Sequence, residues 1–106
     1  MTGVQTCALP IFIETFDKPG SLDIRKAHRA EHLAYLDRIK DRLLACGAKL
    51  NDDGTDAGGG LYVVDVETRA EAEALIAADP FFRVDLFERV EIRRWRKAYL
   101  DGKSFL

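Results

Sequence analysis

The two histidines of this chain lie four positions apart with a glutamate between them, which makes this stretch the first candidate for chemistry. On a helix, the H-x-x-E-H spacing of His28, Glu31 and His32 resembles the inverted zinc-protease signature, in which two imidazoles hold a metal beside a carboxylate base. A catalytic zinc needs a further protein ligand, and the sequence has no third histidine. We therefore expect no metal and no cofactor. The alternatives are acid–base chemistry and plain packing or solvation, the latter more for His28 than for His32.

The composition is that of one ordinary globular domain. Of 106 residues, 47% are hydrophobic and 32% are charged, and the net charge of -2 gives no general reason to expect nucleic acid or an acidic membrane as partner. No apolar run approaches the ~20 residues of a membrane-spanning helix. Two cysteines, Cys7 and Cys46, are too few for a disulfide scaffold, so we expect a cytoplasmic protein. A basic cluster near the C-terminus is diluted by acidic neighbours, which favours a solvated surface over a nucleic-acid interface. It comprises Arg89, Arg93, Arg94, Arg96 and Lys97.

The first eleven residues, MTGVQTCALPI, differ from the rest because none of them is charged. Their back-translation resembles a common sequencing adapter, so we expect residues 1–11 to be an assembly artefact that is not native. The native part is then a single domain at 12–98 followed by a C-terminal tail at 99–106.

Hydrophobic periodicity and turn residues divide the domain into alternating strands and helices. The pattern predicts strands at 11–16, 48–50, 61–67 and 88–95, helices at 22–46 and 70–79, and a flexible loop at 51–60. A capping box at Thr68 and Glu71 opens the second helix, and Pro80 ends it. The order β-α-β-β-α-β predicts an α+β, ferredoxin-like antiparallel sheet with both helices on one face. Apolar residues at both alternations of the strands leave the other face apolar, which favours a homodimer.

The first helix carries a stripe that changes character along its length. Leu36 and Ile39 lie within roughly 40° of His32 around the helix axis, and Arg25 and Arg29 lie within roughly 60°. The apolar half must face the core, so the basic half should line a pocket where the core opens. A buried cation or imidazole needs a carboxylate partner, and Asp79, at the end of the second helix, is a candidate. Glu31 lies about 100° from His32 and should face solvent.

Several short segments together resemble the YCII-related family. They are R-A-E-H-L at 29–33, Gly47 after the first helix, A-D-P-F at 78–81, and the closing strand at 92–95. The resemblance implies a dimeric α/β barrel of ferredoxin-like subunits, with His32 and Asp79 paired in a pocket and Arg29 close by. It also implies acid–base chemistry on small, often aromatic-derived compounds, such as dehydrochlorination. Ala48 and Asp85 depart from the family pattern, and both could reshape the pocket mouth.

These observations give two functional hypotheses. In the first, the protein is a cofactor-independent lyase or isomerase in which His32 and Asp79 are catalytic and Arg29 binds an anionic group of the substrate. In the second, the same pocket binds a small molecule without reacting with it, as in a sensor module.

Overall fold

The computed structural model describes residues 9–106, so most of the segment expected to be an artefact lies outside the described residues. Nine helices and strands are described, with a short 3-10 turn at Lys40–Arg42. In chain order they are β1 (Ile11–Asp17), α1 (Leu22–Arg38), β2 (Leu43–Leu50), β3 (Asp56–Val64), α2 (Arg69–Ala77), α3 (Pro80–Arg83), β4 (Phe87–Arg94), β5 (Tyr99–Leu100) and β6 (Lys103–Ser104).

Four of the strands form one antiparallel sheet in the order β2-β3-β1-β4. In the two central pairings, Ile13 lies opposite Tyr62 on one side and Ile92 on the other, so these side chains share a face. They are buried together with Tyr35 of α1 and Leu75 of α2, which places both helices on that face of the sheet. The predicted α+β, ferredoxin-like fold is therefore confirmed. No helix within residues 9–106 is long and apolar enough to cross a membrane.

The first helix is shorter and the second strand longer than the sequence predicted. The helix ends at Arg38, and the N–H of Ile39 bonds to the carbonyls of Tyr35 and Leu36. The chain from Leu43 then pairs with β3, although its apolar run continues the helical pattern. A short apolar run fits a helix or a strand equally well, and here pairing with the neighbouring strand β3 makes it a strand.

The glycine-rich run at 58–60 belongs to a strand, so the predicted loop at 51–60 was wrong from Asp56 onward. A Cβ on Gly59 would lie 2.0 Å from the carbonyl oxygen of Thr15, and one on Gly60 would lie 2.9 Å from that of Gly47. Glycine therefore permits an approach between strands that any larger residue would block.

Two further details differ from the sequence prediction. The second helix ends at Ala77, two residues before the predicted end, and the link at 81–87, for which the sequence allows an irregular or a helical structure, begins as the separate helix α3 opened by Pro80. The C-terminal tail forms a small hairpin of β5 and β6, with Asp101 and Gly102 at positive φ in its turn. The predicted capping box is present, because Thr68 and Glu71 each accept a hydrogen bond from the other's backbone N–H.

Candidate active site around His32

Helix α1 presents its predicted stripe to the sheet. Tyr35 and Ile39 are buried in the core, whereas the side chain of His32 keeps 12% of its surface exposed at the edge of a cleft. Glu31 is exposed as expected, and its carboxylate lies 3.2 Å from Nδ1 of His28 at the helix surface. The H-x-x-E-H residues therefore point in different directions. Among the described residues, no group of three or more His, Cys, Asp or Glu side chains could hold a metal ion.

The structure brings Asp79 into contact with His32. Nδ1 of the imidazole lies 2.9 Å from Oδ1 and 2.8 Å from Oδ2 of the fully buried carboxylate. Asp79 is the N-cap of α3, and its Oδ1 accepts a hydrogen bond of 2.8 Å from the backbone N–H of Phe81. The sequence placed this carboxylate at the unfavourable C-terminal end of a helix. That interpretation was wrong because Pro80 fits the first position of a new helix, which makes Asp79 its cap.

Tyr62 of β3 supplies the remaining contact of Asp79. Its hydroxyl donates a hydrogen bond of 2.8 Å to Oδ2. The pKa of Tyr62 is raised well above its ordinary value, mainly by burial and secondly by the negative charge of Asp79. The hydroxyl therefore keeps its proton. A carboxylate that already accepts from Tyr62 and from a backbone N–H is an acceptor toward His32 as well. The tautomer that donates from Nδ1 to this carboxylate leaves Nε2 as the ring nitrogen that a ligand can meet.

Phe81 forms the floor beneath the imidazole. It is 1% exposed, and its ring stacks on that of His32 with centroids 4.0 Å apart and planes inclined by 16°. On the same aromatic ring lies the guanidinium of Arg25, with Cζ 4.7 Å from the centroid. Stacking and the Asp79 contact together restrict the imidazole to one orientation.

The cleft in front of His32 has a volume of about 200 Å³. Its walls come from α1, β2, β3 and α3, and comprise Arg25, Arg29, His32, Leu33, Leu36, Cys46, Gly47, Ala48, Gly60, Tyr62 and Phe81. Arg29, predicted to bind substrate, is exposed at the mouth and has no ion pair within residues 9–106. Ala48, one departure from the family pattern, lies in the wall.

Cys46 is the free thiol of this cleft. Although its side chain is exposed to solvent on one side, the surrounding protein and then the charge of Asp79 raise its pKa to about 11. The thiol is therefore protonated near neutral pH, which does not suit a nucleophile.

Sequence reasoning missed the roles of three residues, Tyr62, Arg25 and Asp17. Tyr62 counted only as an apolar strand residue, although a hydroxyl on a core-facing strand position needs a hydrogen-bond partner and could have been a signal. Arg25 was placed on the stripe but was given no role, although it lies two helical turns before His32 on the same face. Asp17, which pairs with Arg25, gave no signal because it lies in a turn cluster.

Comparison with protein families identifies relatives over most of the chain. A model of the YCII-related domain matches residues 10–96. The protein YciI of Escherichia coli O6:H1 is 31% identical over 90 residues, which cover 78% of this chain and 92% of the relative. The protein YciI of Shigella flexneri matches with the same identity and coverage.

Solved structures share the fold. The 5-chloro-2-hydroxyhydroquinone dehydrochlorinase TftG of Burkholderia phenoliruptrix, in complex with 2,5-dihydroxybenzoquinone, superposes with a TM-score of 0.76 at 31% identity. The match covers 82% of this chain and 93% of TftG. A putative antibiotic biosynthesis monooxygenase of Bacteroides thetaiotaomicron has a TM-score of 0.54 at 15% identity, covering 90% and 93% of the two chains, and is similar in fold alone.

Proposed function

This chain belongs to the YCII-related family, and we propose that its cleft is the active site of a small acid–base enzyme of the lyase or isomerase type. The substrate class is a small anionic or aromatic-derived compound. The observation that supports this most is the restraint of His32: Asp79 contacts Nδ1 at 2.8 Å and Phe81 stacks on the ring, which leaves Nε2 facing the cleft. TftG, a structural relative at 31% identity, is named as a dehydrochlorinase of 5-chloro-2-hydroxyhydroquinone.

In the proposed reaction, Nε2 of His32 takes a proton from the substrate. Departure of chloride completes an elimination that removes HCl and creates one further unsaturation, whereas return of the proton to another atom completes an isomerisation. Neither route needs an oxidant or a reductant. The imidazolium that forms is stabilised by the carboxylate of Asp79, which also accepts hydrogen bonds from Tyr62 and from a backbone N–H. Arg29 attracts the anionic substrate at the mouth of the cleft.

The test uses 5-chloro-2-hydroxyhydroquinone and a panel of small phenols with and without chlorine. Chloride release and the ultraviolet spectrum report turnover by the wild type, His32→Asn and His28→Asn. We expect His32→Asn to lower kcat by about 100-fold to 10,000-fold, the range of general acid–base catalysis, while the circular dichroism spectrum is unchanged. His28→Asn is the matched control, since this exposed ring contacts Glu31 outside the cleft. Wild-type rates in His32→Asn, or a loss that only follows unfolding, would contradict the proposal.

A second candidate is a binding module that does not react with its ligand. It is favoured by the absence, within the described residues, of a free second proton donor in the cleft. The hydroxyl of Tyr62 is committed to Asp79, and the thiol of Cys46 has a raised pKa. A ligand that binds in stoichiometric amount and is recovered unchanged after hours would support this candidate over the enzyme.

We propose a homodimer that forms through the sheet face opposite the helices. Phe12, Leu61 and Val63 lie on that face with Ala45, around a shallow apolar depression. Leu61 is 37% exposed there, and Phe12 and Val63 are half-buried in the single chain. A second copy would cover this apolar surface. The free thiol of Cys46 fits a cytoplasmic location, where thiols stay reduced.

A further inference from the structure

Tyr62 is a buried titratable side chain whose hydroxyl takes no part in the proposed proton transfer. It is 3% exposed and lies on β3, opposite Cys46 of β2 and Ile13 of β1. Its hydroxyl donates to Oδ2 of Asp79 at 2.8 Å, and its ring meets that of His32 edge to face, with centroids 6.3 Å apart. The hydroxyl therefore reaches the carboxylate from the sheet, whereas the imidazole reaches it from helix α1.

Each oxygen of the Asp79 carboxylate has a donor of its own besides the imidazole. Oδ1 accepts from the backbone N–H of Phe81 at 2.8 Å, and Oδ2 accepts from the hydroxyl of Tyr62. Nδ1 of His32 lies almost equally far from both, at 2.9 Å from Oδ1 and 2.8 Å from Oδ2. The terminal torsion of a carboxylate has only broad minima, so donors at both oxygens are what fix the plane of this group.

Removing one of these two donors should change the contact with the imidazole. The carboxylate could then turn and present a single oxygen to Nδ1, because one straight hydrogen bond is better aligned than two shared ones. The N–H of Phe81 would not prevent this turn, since it holds only Oδ1. Stacking on Phe81 limits the tilt of the imidazole but not its rotation within its own plane. Nε2 would therefore move relative to a ligand in the cleft.

We propose that Tyr62 is a positioning residue: by holding Oδ2 of Asp79, it keeps the carboxylate centred on Nδ1 of His32 and so fixes the place of Nε2 in the cleft. Partners that orient a reactive side chain from behind contribute to its activity although they never touch the substrate. A displacement of ~1 Å at the reacting atom can cost about 100-fold in rate. This assignment rests on the proposed function, because the place of Nε2 affects a rate only if that nitrogen moves a proton.

The hydroxyl of Tyr62 keeps its proton well above neutral pH. Its pKa is raised from the ordinary value of 10.0, mainly by burial and then by the charge and the hydrogen bond of Asp79. The other titratable or charged groups that face it are the thiol of Cys46, the guanidinium of Arg25 and the imidazole of His32. The thiol is itself protonated near neutral pH. Tyr62 therefore remains a donor to Asp79 up to about pH 10 and beyond.

The first measurement needs no substrate. It compares the nitrogen-15 resonance of Nδ1 of His32 in the wild type, Tyr62→Phe and Tyr35→Phe at pH 9, read through the carbon-bound protons of the ring. Tyr35→Phe is the matched control, because it also removes one buried hydroxyl, which bonds at 2.6 Å to the carbonyl of Leu75 instead of to Asp79. We expect Tyr62→Phe to move the resonance downfield by about 2 ppm or more, since Nδ1 then donates to one oxygen alone. Tyr35→Phe should move it by less than about 0.5 ppm.

The second measurement is chloride release from 5-chloro-2-hydroxyhydroquinone by the same three proteins. We expect Tyr62→Phe to lower kcat by about 10-fold to 100-fold, as for the loss of a partner that orients a reactive side chain. KM should change by less than about threefold, because the ring of residue 62 is kept and its hydroxyl is bonded to Asp79. Tyr35→Phe should keep kcat within about twofold, although urea denaturation should show a similar loss of stability in both variants.

The pH dependence separates Tyr62 from an ordinary phenol. The ratio of the wild-type rate to the rate of Tyr62→Phe should stay constant from pH 7 to pH 10, because the hydroxyl does not ionise over this range. A ratio that falls toward one near pH 10 would count against the assignment. An Nδ1 resonance in Tyr62→Phe that matches the wild type would overturn it. So would an equal response of the two tyrosine variants, or an unchanged kcat in folded Tyr62→Phe.

The proposed function and this assignment can fail separately. If the wild type turns no substrate over, the enzyme proposal fails, while the resonance of Nδ1 still decides whether Tyr62 positions the imidazole. If His32→Asn abolishes turnover while Tyr62→Phe reacts as the wild type does, the assignment fails and the enzyme proposal stands.

Discussion

The hydroxyl of Tyr62 lies 2.8 Å from Oδ2 of Asp79, and both side chains are buried. With His32 from α1 and the backbone N–H of Phe81 from α3, this carboxylate accepts donors from three different elements of the fold. Asp79 therefore joins the helix layer to the sheet at the same point where it orients the imidazole. Its contributions to stability and to chemistry must be separated by experiment.

Replacing Asp79 should cost stability even without any ligand. In Asp79→Ala, the hydroxyl of Tyr62 and the N–H of Phe81 lose their acceptor inside the protein, and the cap of α3 is lost. We expect the free energy of unfolding to fall by about 2–4 kcal/mol, measured by urea denaturation. Asp37→Ala is the control, because that side chain is 76% exposed, and it should change stability by less than ~0.5 kcal/mol. A change below ~1 kcal/mol in Asp79→Ala would show that water replaces the carboxylate without cost.

The thiol of Cys46 should react slowly despite its exposure. Its pKa is raised from 9.0 to about 11, so the protein holds the thiol in its protonated form above the pH at which an unfolded chain ionises. At pH 8 the thiolate fraction falls from ~10% to ~0.1%, which predicts alkylation by iodoacetamide about 100-fold slower than in urea. The rate in the folded protein should keep rising up to about pH 11.

This measurement needs the Cys7→Ser chain, because Cys7 is the other cysteine. The same chain unfolded in urea is the reference at every pH. Equal rates in the folded and unfolded chain would mean that the protein around Cys46 does not hinder ionisation.

The sequence predicted those parts of the site whose positions follow from the regular spacing of residues along a helix. Leu36 and Ile39 share the face of His32 because α1 is regular, and the structure packs Ile39 in the core and Leu36 against it. The strand alternation did not say which face is the core, because apolar residues occupy both faces. The order of elements then sufficed for the fold. Contacts set by turns and by pairing were not predictable in this way.

Three particular contacts illustrate this. Helix α1 ends at Arg38 because residues 43–46 pair with β3, and no local sequence pattern predicts that pairing. The capping role of Asp79 depends on Pro80 beginning a helix of only four residues. The ion pair of Asp17 and Arg25 joins the end of strand β1 to the start of helix α1 across a turn. Neither the period of the strand nor that of the helix predicts such a contact.

The outer face of the sheet should control association. Leu61→Glu places a charge in the lining of the apolar depression, and burying it against a second copy would be costly. We expect a chain that sediments as a dimer to become a monomer in this variant, measured by analytical ultracentrifugation over a range of concentrations. Ile24→Glu is the matched control on α1, where a side chain of similar exposure (39%) lies outside that face. A dimer that survives Leu61→Glu would place the interface elsewhere.

Gly60 should be far less tolerant of a methyl group than Gly47, which precedes its pairing partner Ala48 on β2. A Cβ at Gly60 would meet the carbonyl oxygen of Gly47 at 2.9 Å, whereas a Cβ at Gly47 would meet nothing within 4 Å. In Gly60→Ala the strands must separate next to the cleft, which should lower the free energy of unfolding by about 1–3 kcal/mol, as for overpacked sites. Gly47→Ala should be neutral or stabilising by up to ~1 kcal/mol, since alanine restricts the unfolded chain.

Both glycine variants belong in the Leu61→Glu background, so that association through the outer face does not enter the urea denaturation curves. Because Gly60 also lines the cleft, Gly60→Ala should weaken binding of 2,5-dihydroxybenzoquinone, and a folded variant with wild-type affinity would show that β2 moves away without narrowing the cleft. Equal stability of the two alanine variants would mean that the strands relax apart at no cost. In that case the close approach of β2 to β3 would not be what requires glycine at position 60.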